Sequence, residues 1–221
     1  MVAIRPVARQ DQWFVIAERF VRTANKSSWL GWSLHGGWLA GLVFATMVLL
    51  IGAFSPTISW QWHPVGNLGA IGAPFATAWN VMGYIVPAGL LLVFVIGLEV
   101  VMRHDGVGVI GRLGTGMLLV SIVAFGAQAL FPYVIDELDS PALSRHASML
   151  AISLLGLMAG GLFVAASLRH RGWSAFVSMT TALNAVLLMF LVVPPQDVIP
   201  GLSGMAGAAQ RLICSGVVVC T

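Results

Sequence analysis

Six long apolar runs, separated by short polar segments, constrain this chain more than any other feature. Their approximate limits are residues 33–54, 79–102, 113–131, 147–168, 174–193 and 204–221. A helix needs about 20 apolar residues to cross the hydrocarbon core of a bilayer, with a range of roughly 17 to 25. Only 9% of the residues are charged, against about 25% in soluble domains. The sequence therefore predicts an all-α integral membrane protein, a bundle of six transmembrane helices.

A basic lead, residues 1–31, precedes the predicted bundle of residues 32–221. Apolar side chains from Trp13 to Phe20 recur at helical spacing, and Arg19 lies on another side of the same turn. This pattern is typical of an amphipathic helix lying on the membrane surface. The alternative is a frayed polar tail. The lead is too long and too polar for a secretory signal peptide.

The distribution of lysine and arginine predicts the orientation in the membrane. Nine of the 11 basic residues fall in the lead and in the segments 103–112 and 169–173. Cytoplasmic loops carry an excess of these residues, so we expect both termini to be cytoplasmic, in a bacterial inner membrane. The charges are spread over short segments rather than gathered in one patch, and no nucleic-acid partner is predicted. Membrane lipids are the expected partners.

One connection on the predicted outer side, residues 131–146 (FPYVIDELDSPALSRH), concentrates charge in an otherwise apolar chain. Its charged residues are Asp136, Glu137, Asp139 and Arg145, and it ends in His146, where the fourth run begins. Phe131 and Pro132 close the third run, since proline does not extend a helix easily. The simplest interpretation is a solvated loop. The functional interpretation is a polar site at the outer face.

The other outer connection, residues 55–78, favours the functional interpretation. It contains His63 and Asn67 together with Trp60 and Trp62. Tryptophan suits the interface between membrane and water, and the segment is too apolar for a free solvated loop. We expect it to fold back over the outer end of the bundle.

Arg211 lies inside the sixth run, where an unpaired charge is costly, at least about 2.5–3.5 kcal/mol near the bilayer centre. It therefore needs a partner. Asp136 and Asp139 are the candidates nearest in depth, and such a pair would fasten the sixth helix to the third. The alternative is an anionic ligand such as a lipid phosphate.

Other polar and special residues within the runs have structural interpretations. Glu99 lies one helical turn before Arg103, a spacing that favours an ion pair. Pro87 predicts a kink in the second helix. Two pairs of glycines at small-xxx-small spacing predict close contacts between helices. They are Gly37 with Gly41 and Gly156 with Gly160.

No cofactor follows from the sequence. His63, His146 and either Asp136 or Asp139 have ligand types that suit zinc, but no HExxH spacing supports a metal site, and none is predicted. Haem would need two axial histidines facing each other at buried depth within helices, which these positions do not offer. The motifs GxxxxGKS, GxSxG and GxGxxG do not occur.

A series of short motifs, in this order, resembles one known family. The motifs are GNLG (66–69), WNVMG (79–83), FP (131–132), an acidic residue followed by His146, and GAAQR (207–211). They resemble the bacterial six-helix membrane proteins of the domain of unknown function 998 family, which are distantly similar to the Frag/DRAM/Sfk membrane family, some of whose members act in lipid-anchor remodelling. The resemblance covers about residues 30–221.

This resemblance implies the six-helix topology and a polar cluster at the outer face. The implied members are Asn67, Asp136, His146, Gln210 and Arg211. The chain departs from the family pattern at Gly66, where serine is usual, and in the longer distance from Phe131-Pro132 to Asp136. If that serine is catalytic in the relatives, the corresponding step is missing from this chain.

Three functions are compatible with these residues. The leading hypothesis is an outer-face site for a lipid headgroup or other anionic ligand, in which Arg211 holds the anion while Asp136 and His146 set orientation and protonation. The second is a membrane-embedded lipid hydrolase or acyl transferase, with His146 as general base and Asp136 as its orienting acid. The third is a structural or accessory subunit, in a homo-oligomer or a larger membrane complex.

Overall fold

The computed structural model describes residues 28–55, 63, 65–135, 137 and 139–168. All regular structure in these residues is helical. The helices are α1 (Ser28–Phe54), a 3-10 helix (Val65–Gly69), α2 (Ala76–Trp79), a π-helix (Asn80–Ile85), α3 (Val86–His104), α4 (Val109–Ala127), a second 3-10 helix (Gln128–Leu130) and α5 (Pro141–Leu168).

Four continuous helical segments in the described part of the chain are long and apolar enough to cross a membrane. They are Trp29–Phe54, Ala76–His104, Val109–Leu130 and Pro141–Leu168. Their length and composition support the prediction of an α-helical membrane protein. The fifth and sixth predicted helices, residues 174–193 and 204–221, and the amphipathic helix of the lead lie outside the described residues, except that residues 28–31 already belong to α1.

Each of the four helices begins three to six residues before the apolar run from which it was predicted. The hydropathy of the sequence falls at charged residues such as Arg112 and Arg145, so an apolar run starts after them. The start of a helix is set instead by the residues that cap its backbone. The α5 helix begins directly after Ser140. The Oγ of Ser140 accepts a hydrogen bond of 3.2 Å from the Leu143 N–H. Proline at the first helical position, here Pro141, completes a typical start.

Helix packing follows the chain, with α1 against α3, α3 against α4 and α4 against α5. Glycines permit the closest approach of α4 and α5. A Cβ added to Gly160 would lie 2.8 Å from the Gly114 carbonyl oxygen, and one added to Gly156 would lie 3.0 Å from that of Met117. The contact predicted from the pair Gly156 and Gly160 is confirmed.

The contact between α1 and α3 also depends on a glycine. A Cβ on Gly36 would lie 2.5 Å from the Leu90 carbonyl oxygen. Gly37 and Gly41, the pair predicted to make a close helix contact, are buried, and their predicted approach to another helix stays a prediction.

The second membrane-crossing segment changes its hydrogen-bond pattern just before Pro87. Over Asn80–Ile85 the turn is π-helical, and the Val86 N–H donates to the Val81 carbonyl, five residues back. Pro87 has no N–H to donate to the preceding turn. The structure therefore places a π-turn, a feature frequent at functional sites, directly before Pro87. The kink predicted at Pro87 stays a prediction.

At the end of the bundle that carries the α3–α4 turn (residues 105–108, the turn end), Glu99 joins two helices. Its carboxylate accepts a hydrogen bond from Arg103 Nε at 2.6 Å and another from the Thr115 hydroxyl at 2.5 Å. The predicted pair of Glu99 and Arg103 is confirmed. The bond from Thr115 was not predicted, and it links α3 to α4.

Substituting Gly160 with alanine should destabilise the bundle, because the added Cβ meets backbone atoms of α4. Overpacking of this kind costs about 1–3 kcal/mol, so we expect a lower midpoint of thermal unfolding in detergent. Tryptophan fluorescence measures this midpoint. Gly116→Ala is the matched control, since a Cβ on Gly116 has no atom of the described residues within 4 Å. Equal midpoints for the two variants would contradict this account.

Candidate functional site

Three segments converge at the other end of the bundle (residues 65–75 and 131–135, the loop end). They are the 3-10 helix Val65–Gly69, the stretch that follows α4, and the first turns of α5. A backbone hydrogen bond from the Ile71 N–H to the Tyr133 carbonyl, 2.8 Å long, joins the two loops directly. Val65 and Leu68 are almost completely buried. This confirms that this part of the loop packs onto the bundle.

The hydrogen bond at the centre of the site runs from the Tyr133 hydroxyl to Asn67 Oδ1, a distance of 2.7 Å. The exposed fraction is 7% for Tyr133 and 6% for Asn67. Buried polar groups without a hydrogen-bond partner are costly. Here the tyrosine hydroxyl provides the donor and the asparagine amide oxygen provides the acceptor. Burial raises the pKa of Tyr133 to about 12, and the phenol is therefore neutral at physiological pH.

His146 lies in the second turn of α5 rather than at the start of the helix, and only 7% of it is exposed. Its Nδ1 lies 3.3 Å from the Phe131 carbonyl oxygen. A carbonyl can only accept a hydrogen bond, so this contact requires a proton on Nδ1. In the neutral ring the other nitrogen, Nε2, then carries a lone pair and acts as an acceptor.

Two tyrosines enclose the imidazole of His146. The ring centroid of Tyr133 lies 5.0 Å away and that of Tyr84 lies 6.0 Å away, both in edge-to-face orientation. Tyr84 belongs to the π-helical turn and also packs edge-to-face against Phe125 of α4 at 5.4 Å. The irregular turn before Pro87 thus carries the tyrosine that packs against both α4 and α5.

Gly66 lies where these polar side chains meet. The point that a Cβ of residue 66 would occupy lies 3.1 Å from Tyr133 Oη, 3.2 Å from His146 Nε2 and 3.8 Å from Tyr84 Oη. These are the nearest atoms recorded among the described residues outside the local chain, and all three are polar. Gly66 itself is half-buried, so the arrangement lies near the surface of the loop end.

Two other glycines of the motifs, Gly69 and Gly83, fit closely against the side chains of Trp79 and Asn80. A Cβ on Gly83 would lie 2.8 Å from the Trp79 ring, and one on Gly69 would overlap the side chain of Asn80. Asn80 Nδ2 in turn donates a hydrogen bond of 3.1 Å to the Gly69 carbonyl. The segments GNLG and WNVMG are therefore packed against each other, which explains why each needs its glycines.

The structure brings together two of the five site residues proposed from the sequence. Asn67 and His146 both contact Tyr133. Asp136, Gln210 and Arg211 lie outside the described residues. Of the neighbouring acidic residues, Glu137 and Asp139 are exposed.

The weak metal candidates do not form a ligand set in the described part of the chain. No group of three or more His, Cys, Asp or Glu residues there is arranged to hold a metal ion. His63 is half-buried, and Asp139 is exposed. Asp136, the other acidic candidate, lies outside this part.

Sequence reasoning missed the two tyrosines. The chain contains only two, Tyr84 and Tyr133, and both contact the same histidine. Their rarity, together with the position of Tyr133 directly after the helix-ending Phe131-Pro132, is the signal that could have identified them.

Comparison of the chain with models of protein families, with curated proteins and with solved structures finds no match. The family resemblance of the motifs therefore stays a prediction. Among the described residues, the structure shows GNLG and WNVMG packed against each other in this chain.

Replacing Tyr133 with phenylalanine should destabilise the protein, because Asn67 Oδ1 loses its donor while it remains buried. An unsatisfied buried polar group costs about 1–3 kcal/mol. A double-mutant cycle with Asn67→Leu, measured by chemical unfolding in detergent, should show that the second substitution costs less once the first is present. Strictly additive losses would mean that the hydrogen bond contributes nothing to stability.

The Tyr133 phenol should ionise near pH 12 rather than near the ordinary pKa of about 10. In the Tyr84→Phe variant it is the only tyrosine of the chain, so phenolate absorbance reports on it alone. The unfolded chain loses this proton first, so the free energy of unfolding should be constant up to about pH 10 and fall between pH 10 and 12. Ionisation near pH 10 in the folded protein would show that Tyr133 is not buried.

Proposed function

We propose that this chain is a multi-pass protein of a bacterial inner membrane that binds a lipid headgroup or another anionic ligand at its outer face. The observation that supports the proposal is the convergence of Asn67 and His146, far apart in sequence, on Tyr133 at the loop end: Asn67 accepts a hydrogen bond from its hydroxyl, and His146 packs against its ring. Such a cluster of hydrogen-bonding side chains at one end of an apolar bundle is suited to holding the polar part of an amphipathic molecule.

Charge supports the assignment of the loop end to the outer side. Two arginines, Arg103 and Arg112, are exposed at the turn end together with Asp105, whereas one arginine, Arg145, is exposed near Glu137 and Asp139 at the loop end. Arginine is enriched in cytoplasmic loops. On this basis the turn end is cytoplasmic, and both termini lie on the same side as the turn.

In this proposal Arg211 provides the fixed positive charge, and Gln210 and Asp136 complete the site. A guanidinium binds phosphate oxygens through two parallel hydrogen bonds. An anionic ligand would also offset the cost of an arginine within the membrane. His146 and Asn67 then lie beside the part of the headgroup that does not bind Arg211.

Two features favour binding over hydrolysis or acyl transfer. The Nδ1 of His146 is already oriented by the Phe131 carbonyl, at the position where an orienting carboxylate would act in a catalytic dyad. Gly66, which faces Nε2, has no hydroxyl to serve as a nucleophile. A purely structural subunit is the remaining alternative, and it predicts no bound ligand.

The test is the amount of lipid that remains bound to the protein, measured by native mass spectrometry after purification in mild detergent. We expect wild type to retain lipid and Arg211→Ala to retain about tenfold less, since a hydrogen bond to a charged group contributes about 1.5–3 kcal/mol. His146→Ala should weaken retention by a smaller factor.

Arg112→Ala is the matched control, because it removes the same charge from the turn end. A wild-type protein that is folded but carries no lipid would contradict the proposal and favour the structural subunit. New lipid products that disappear in Asp136→Asn would instead favour the enzyme.

A further inference from the structure

The hydrogen bond that each polar group near Gly66 already makes determines whether that group can still donate or accept another. The Tyr133 hydroxyl has one proton, which it donates to Asn67 Oδ1. Its oxygen can therefore only accept a further hydrogen bond. His146 has its proton on Nδ1, facing the Phe131 carbonyl, so Nε2 of the neutral ring is also an acceptor.

These two acceptors lie close to the same point beside Gly66. Tyr133 Oη and His146 Nε2 both lie within 3.2 Å of the point where a Cβ of residue 66 would stand. Neighbouring lone pairs repel an anionic oxygen and attract an O–H or N–H group. Because residue 66 is a half-buried glycine, no side chain of its own occupies the space between them and the surface.

We propose that the surface over Gly66 receives a hydrogen-bond donor of the ligand, a hydroxyl or a protonated amine, held by Tyr133 Oη and His146 Nε2. This inference rests on the proposed headgroup site and specifies its substrate class. The ligand carries a donor beside its anionic group, as phosphoglycerol and phosphoethanolamine headgroups do. A phosphocholine headgroup has the same phosphate but no O–H or N–H.

The surroundings agree with a donor rather than a second anion. Tyr84 and Tyr133 present aromatic rings beside the imidazole, and aromatic faces attract ammonium groups. The exposed charges near these side chains in the sequence are Glu137 and Asp139, which are negative, and Arg145, which is positive. The anionic group of the same ligand is assigned to Arg211 by the proposed function, so the two ends of one headgroup have different partners.

The experiment reconstitutes the protein in nanodiscs with equal amounts of phosphatidylethanolamine, phosphatidylglycerol and phosphatidylcholine of identical acyl chains. Lipid that remains bound after transfer to mild detergent is counted by native mass spectrometry. We expect one or both donor-bearing lipids to exceed phosphatidylcholine by about fivefold or more, the effect of one or two net hydrogen bonds. Preference for phosphatidylethanolamine identifies an amine, and preference for phosphatidylglycerol identifies a hydroxyl.

The Gly66→Ala variant tests the location. Its added methyl group stands between the two acceptors, so the preference should fall to near equality while total lipid stays bound. Gly89→Ala is the control, since a Cβ on Gly89 has no atom of the described residues within 4 Å, and it should keep the wild-type preference. If Gly66→Ala does not fold, Tyr133→Phe removes one acceptor and should reduce the preference as well.

The outcomes separate this inference from the proposed function. Two results would overturn the donor site without contradicting the headgroup site. One is retention of all three lipids in equal amounts. The other is a preference that is unchanged in both Gly66→Ala and Tyr133→Phe. Excess phosphatidylcholine overturns the donor site too, in favour of an aromatic cage. A folded wild type that retains no lipid removes the proposed function, and this inference with it.

Discussion

The hydrogen bond from Tyr133 to Asn67 is the interaction on which the loop end depends. Both groups are buried at the end of an apolar bundle, where leaving either unpaired would cost about 1–3 kcal/mol. The bond joins a loop before α2 to the segment after α4. It also commits the only proton of the tyrosine, and this fixes how the same oxygen faces Gly66. One contact therefore determines both the closure of the loops and the polarity of the candidate site.

The class of the fold could be predicted from composition, whereas the helix limits could not. Apolar runs of about 20 residues identify membrane-crossing helices because the bilayer requires that length. Charged residues near helix ends lie in water or at the interface without ending the helix, and so hydropathy alone placed the start of α5 too late. The signal for its true start was the pair Ser140-Pro141, a capping residue followed by a proline that is compatible only with the first turn.

The candidate site was partly predictable for a related reason. Asn67 and His146 were recognised because polar side chains are rare in this chain and need an explanation. Tyr84 and Tyr133 were not, since tyrosine at a membrane interface is ordinary. Only three-dimensional packing shows that a π-helical turn brings Tyr84 to the histidine and that a carbonyl, not a carboxylate, orients the imidazole. Spacing in the sequence contains neither fact.

The stretch of residues 131–146 concentrates charge in an otherwise apolar chain, and its middle and its ends have different roles. Glu137 and Asp139 are exposed, as expected for a loop in water. Tyr133 and His146, by contrast, are buried and face Gly66. Because residue 66 is a glycine, it places no side chain of its own beside the two acceptors. The same stretch thus combines a soluble exterior with a buried hydrogen-bonding face, and the second is the part that a ligand would contact.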